Sequence, residues 1–124
     1  MANSSNQAST TIRNVPDVAA EANTDNYLCD QGSCTGDYGG TSFAAPRWAG
    51  FLALVNQQAV AGGNSTLGFI NPAIYSIGRG ASYHSAFHDI TSGSNNKYSA
   101  GPGYDLVTGW GSPNGTGLIN ALAP

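Results

Sequence analysis

Ser42 and the aspartates that follow it are the residues of this chain best suited to chemistry. Ser42 lies in "GGTSFAAP" (residues 39–46), where two glycines run into a long apolar segment. A serine at such a junction has two uses. It can cap the helix by accepting a bond from a free backbone N–H. It can also be a nucleophile, because the amides and dipole of a helix start favour negative charge developing beside it. Gly39 and Gly40 present no Cβ to an approaching substrate backbone. Pro46, tolerable in a first turn, fixes where the helix can begin. A serine also needs a base. The histidines are His84 and His88, and Ser42, His88 and Asp105 could form an internal triad. Equally, His88 beside Asp89 reads as a hydrogen-bonded surface residue.

The elements that must position these residues can be read along the chain. Residues 1–12 look like a flexible leader, and residues 13–124 carry no linker or internal repeat. "VPDVAAEA" (15–22) reads as a short buried strand with Asp17 its one odd polar residue. Residues 23–40 are turn-rich and suit a hairpin. Cys29 and Cys34 enclose only "DQGS", which fits a small disulfide-closed loop better than a redox or zinc motif. From Ser42 to Ala61, Trp48, Ala49, Leu52 and Val55 recur at helical spacing, with Phe51 and Leu54 on the flanks. This helix is nearly apolar all round and is expected to be buried. "INPAIYSIG" (70–78) predicts a short helix with Pro72 in its first turn, "AFHDIT" (86–91) a strand end, and "TGLINALAP" (116–124) a closing helix. Between them, residues 92–115 form a glycine-rich loop long enough to need something to hold it, such as a metal ion. The alternation predicts an α/β fold.

Composition narrows the function. The 124 residues carry only 9% charged side chains, against roughly 25% in soluble domains generally, and 17 glycines. Arg13, Arg47, Arg79 and Lys97 are scattered and the net charge is −3, so nucleic-acid binding has no electrostatic footing. No run reaches the ~18 apolar residues of a membrane span. Sequons at Asn3, Asn64 and Asn114, with the scarce charge, lean towards a secreted protein.

"GGTSFAAP" resembles the G-T-S-x-x-x-P nucleophile segment of subtilisin-like enzymes. "RNVPDVAAEA" (13–22), "GFINPAIY" (68–75), "FHDITSGSN" (87–95) and "AGPGYDLVTGWGSPNG" (100–115) together resemble the C-terminal part of the sedolisins, the serine-carboxyl peptidases. The resemblance runs from about Arg13 to the C-terminus. It implies the C-terminal portion of a subtilisin-like parallel-sheet fold, with a buried central helix after the nucleophile, and it makes Ser42 the nucleophile. In sedolisins the base is a glutamate supported by an aspartate, with a further aspartate at the oxyanion site. That choice suits acid: at pH 4 a histidine of pKa ~6.5 is protonated, whereas a glutamate near ~4.3 still accepts a proton. Those acidic motifs precede the serine in the family and have no counterpart in residues 1–41, where the only glutamate is Glu21.

The same resemblance implies a calcium site, with Asp89 and Asp105 giving carboxylates and Ile90, Gly101 and Gly103 giving backbone carbonyls. Five oxygens and water would suit Ca2+, and two carboxylates balance its charge. Glycines at 101 and 103 would allow unusual backbone angles. The competing reading makes Asp89 and Asp105 turn residues with local hydrogen bonds. The expected activity is calcium-dependent, acid-active hydrolysis of polypeptides, incomplete in these residues alone. The alternatives are a non-catalytic calcium-binding module, or a subtilisin-like segment whose histidine base lies upstream. A segment of a covered sheet should bind the remainder of a peptidase domain or self-associate.

Overall fold

The computed structural model describes residues 7–124. The start of the expected leader and the sequon at Asn3 lie outside the described residues. Residues 9–14 form a local turn in which the Ser9 amide donates to the Asn14 side chain at 2.7 Å and the Asn14 amide group returns a bond to the Ser9 carbonyl at 2.9 Å.

The turn-rich segment forms the expected hairpin, β1 (Asn26–Asp30) against β2 (Ser33–Tyr38), antiparallel with Cys29 opposite Cys34. The two cysteines are joined, closing a six-residue ring. Helix α1 (Thr41–Ala61) follows, then α2 (Asn71–Gly78), α3 (Tyr83–Ala86), β3 (Phe87–His88), β4 (Ser112–Pro113) and α4 (Gly115–Leu122). β3 and β4 pair antiparallel, drawing the two ends of the long loop together. α1 stops where Gly63 and Asn64 turn their amides back onto the carbonyls of Val60 and Ala59, closing the last turn.

Three expectations are corrected here. The pairing among the described residues is antiparallel, in two two-stranded sheets, with no parallel sheet. The physical reason is that residues 15–22 form an irregular segment, bent at Val15 and Asp17, that finds no neighbouring strand among the described residues. Single backbone bonds hold them instead, Ala19 N–H to Gly111 O at 2.9 Å and Trp110 N–H to Asp17 O at 2.9 Å. The helix after the serine is not buried. Only Val55 and Ala59 are buried, while Leu54 and Val60 are more than half exposed. An all-round apolar helix needs partners on every face, and in the described residues its main helix partner is α4. Pro46 falls in the second turn, not the first, because α1 begins at Thr41. Its ring removes the N–H that would have bonded the Ser42 carbonyl.

The core sits in the C-terminal half. Val55 and Ala59 of α1 meet Ile74, Tyr83, Ala86, Phe87, Leu118 and Leu122. Trp110 packs edge-on against Tyr75, Tyr83 and Tyr104, with ring centroids 5.4–6.0 Å apart. Phe87, Tyr104 and Trp110, aromatic residues that a substrate cleft could have used, are all buried in this packing.

Candidate active site and metal loop

Ser42 is the second residue of α1, and its side chain is exposed. The helix cap is Gly40, not Ser42, and no side chain caps the helix. The capping role expected of Ser42 therefore falls away, leaving its hydroxyl at a helix start where the Phe43 amide already bonds Gly40 O at 2.9 Å. The turn that delivers it is built from glycines of necessity. Gly40 has φ 120°, and a Cβ on Gly39 would lie 2.9 Å from the Asn23–Thr24 backbone. Gly40 donates its amide to Ala22 O at 2.7 Å. Around the corner, the Trp48 indole donates to Ala19 O and Arg47 to Glu21 O, both at 2.9 Å. The turn that presents Ser42 is thus tied to residues 15–22 at three points.

No internal triad forms. Among the described residues no hydrogen bond joins Ser42 to His88 or Asp105, and the Asp105 carboxylate is committed elsewhere. Glu21, the only glutamate, accepts the Asn23 amide and makes no bond to Ser42.

The long loop is ordered by its own polar groups. Asp105 is buried, with 2% of its surface exposed. Its Oδ1 accepts the amides of Val107 and Thr108, each at 2.8 Å, and its Oδ2 accepts the Gly101 amide at 3.0 Å. Asp89 reaches across the loop, its Oδ2 accepting the Gly103 amide at 2.9 Å. The two aspartates therefore bracket residues 101–103 through local amide bonds, as the turn reading expected. Asp89 Oδ1 is different: it is buried, and no hydrogen-bond partner reaches it among the described residues. A buried carboxylate oxygen left bare is costly unless a cation or proton meets it. The hydrogen bonds of the described residues also leave the carbonyls of Ile90, Gly101 and Gly103 without donors. An all-oxygen set with two carboxylates and one bare carboxylate oxygen fits a hard divalent cation. Gly103 takes the left-handed conformation (φ 77°), as a loop turning its carbonyls needs; Gly101 does not. Nearby, the Tyr83 hydroxyl donates to Trp110 O at 3.2 Å, and burial, with Asp89 adding to it, pushes its pKa above the ordinary tyrosine value.

One polar cluster escaped sequence reasoning. Asp17 accepts the Tyr75 hydroxyl at 2.6 Å and the Asn71 amide at 2.9 Å, and pairs with Arg13. Burial alone would push its carboxyl up; the bonds from Tyr75, Arg13 and Asn71 outweigh it and hold it below the ordinary value. The available signal was a lone aspartate inside an apolar extended segment.

A glycine turn thus carries Ser42 onto an apolar helix, and a separate loop is braced by two aspartates. A model of the Subtilase family matches residues 1–111, and the chain belongs to that family. Within it the similarity is to the sedolisins, as the motifs implied. Tripeptidyl-peptidase sed1 of Aspergillus fumigatus is 41% identical over 113 residues, 87% of this chain and 16% of its own length. Kumamolisin of a Bacillus species is 38% identical over 129 aligned positions, covering 98% of this chain and 22% of its own length. The dog tripeptidyl-peptidase 1 is 36% identical over 121, covering 89% and 20%. The chain spans about a fifth of the length of the curated relatives it matches.

Proposed function

We propose that this chain carries the nucleophile and the calcium loop of a serine-type peptidase that hydrolyses polypeptides in acid. The observation that carries the reading is Ser42 itself, exposed and uncommitted at the second position of a helix, in a sequence of the subtilase family. The Ser42 hydroxyl attacks the scissile carbonyl, and the amides at the start of α1 lie where negative charge would develop. A carboxylate elsewhere in the protein takes the hydroxyl proton, since no base touches Ser42 among the described residues. Ca2+ would be held by the Asp89 and Asp105 carboxylates with the carbonyls of Ile90, Gly101 and Gly103. When bound, it would neutralise Asp89 Oδ1 and lock the loop. The exposed face of α1, with Leu54 and Val60 outward, is covered by the remainder of a peptidase domain or by self-association. The Cys29–Cys34 bridge fits an oxidising, secreted setting. As a fact about the described residues, no helix is long and apolar enough to cross a membrane.

The test is peptide-library cleavage by this chain at pH 4 and pH 7.5, beside its Ser42→Ala variant, on samples shown to be folded with calcium. We expect no serine-dependent cleavage from the chain alone. In an active full-length parent, the same substitution should reduce turnover on the order of 10^4-fold or more. Full activity in that variant sinks the nucleophile assignment. Cleavage by the chain alone sinks the external base.

A further inference from the structure

We infer that Asp17 is a positioning residue: it anchors a bar of chain, residues 16–22, that joins the aspartate-braced loop to the turn presenting Ser42. The inference rests on the reading of Ser42 as nucleophile and adds to it a residue that touches neither substrate nor metal.

The geometry divides into two ends and an anchor. At the loop end, the Tyr104 hydroxyl donates to Pro16 O at 3.1 Å. Trp110 N–H donates to Asp17 O, and Ala19 N–H to Gly111 O. Contact there is close enough that a Cβ on Gly109 would meet the Asp17 carbonyl at 2.3 Å. Gly109 is in turn bonded both ways to Asp105, N–H to O at 3.1 Å in each direction. The residue that braces the loop and the residue that starts the bar therefore share one neighbour. At the other end, the carbonyls of Ala19, Glu21 and Ala22 hold Trp48, Arg47 and Gly40.

The bar has no strand beside it among the described residues, so single bonds at Pro16, Asp17 and Ala19 hold its main chain to the loop. The Asp17 side chain adds an anchor of a different kind. Its two oxygens take bonds from Tyr75 and Asn71 of α2 and from Arg13, which pins the bar against a helix of the packed core. Loosening that anchor adds freedom to the bar as far as Ala22, the residue that bonds Gly40. Two positions from Gly40 stands Ser42.

The measurement is hydrogen exchange by NMR on the whole chain, following the Gly40 amide and the Trp48 indole N–H. Both belong to the far end of the bar, and the Ala123 amide, bonded to Ile119 O at the end of α4, is the internal reference. Tyr75→Phe removes one bond to Asp17 at nearly constant volume, and Asp17→Asn removes the charge. Arg79→Ala, whose side chain meets the Tyr75 carbonyl and not Asp17, is the control. We expect Tyr75→Phe to speed exchange at Gly40 and Trp48 roughly fivefold, the worth of one hydrogen bond, and Asp17→Asn to speed it more. Ala123 should stay unchanged, and Arg79→Ala should leave all three alone. Unchanged Gly40 and Trp48 in both variants overturns the inference. So does an equal rise at Ala123, which would make the effect general loosening. The readout needs no peptidase activity, so a failure of the catalytic reading is seen separately, in the Ser42 assay.

Discussion

The two regions that carry chemistry are built on opposite plans. The Asp89 and Asp105 carboxylates take their bonds from residues 101–108, and the loop lies against the core through Tyr104. The nucleophile turn has a precise backbone, set by Gly39 and Gly40, yet Ser42 faces solvent with no base beside it. A metal loop can be complete in a short stretch because backbone carbonyls and two carboxylates suffice. Acyl transfer needs a nucleophile, a base and an oxyanion partner brought from distant parts of a chain.

The comparison breaks most easily at Asp105. Replacing it with alanine strips acceptors from the amides of Gly101, Val107 and Thr108 and deletes a proposed calcium ligand. Buried donors left unpaired cost about 1–3 kcal/mol each, before any partial rescue by water. We expect Asp105→Ala to lower the melting temperature by more than any change confined to the nucleophile turn, such as Gly40→Ala. Calorimetry of both variants decides it. A larger loss from Gly40→Ala would mean the loop is not the better-braced region.

Calcium removal is the gentler version of the same test. At a hundredfold excess over its dissociation constant a ligand adds about 2.7 kcal/mol, which for a chain of this size is roughly 10 °C in melting temperature. Adding EGTA should lower the transition by up to that amount in the wild type and not at all in Asp89→Asn. An identical transition with and without EGTA in the wild type would leave the loop a self-sufficient turn and remove calcium from the reading.

How much of this could be read from the sequence follows the same divide. The hairpin, α2 with Pro72 in its first turn, and α4 were legible because turn residues, a proline at a helix start and short-range periodicity specify them. The burial of α1 was misread because apolar periodicity says which faces want partners, not whether partners are present. The strand at 15–22 failed for a related reason: an extended segment becomes a strand only when a neighbour supplies its ladder. Within the loop, the residue types pointed to Asp89 and Asp105. Only coordinates could reveal that Asp105 is saturated by amides while Asp89 keeps one oxygen bare. Asp17 showed in the sequence as an anomaly, but its partners lie 54 and 58 residues away, beyond any local pattern.

The smallest expected effect concerns Asp17 and acid. Its carboxyl is held below the ordinary value by Tyr75, Arg13 and Asn71, against the opposing effect of burial. A depressed carboxylate contributes stability that is fully present above the unfolded pKa, near ~3.9, and is lost as pH falls through the lower folded value. Asp17→Asn has no such limb. The difference in melting temperature between wild type and variant should therefore be flat from neutral pH down to about pH 4, and shrink only below it. Its size should be modest, because Arg13 is 61% exposed and its pairing is screened by solvent. A difference that already fades between pH 6 and 5 would mean the carboxyl is not depressed. On the proposed reading the sign has a functional side: acid hydrolysis with the Ser42 turn held by a carboxylate would need that carboxylate to remain charged near pH 4. Hydrogen bonds from a phenol, an amide and a guanidinium supply what burial alone would have taken away.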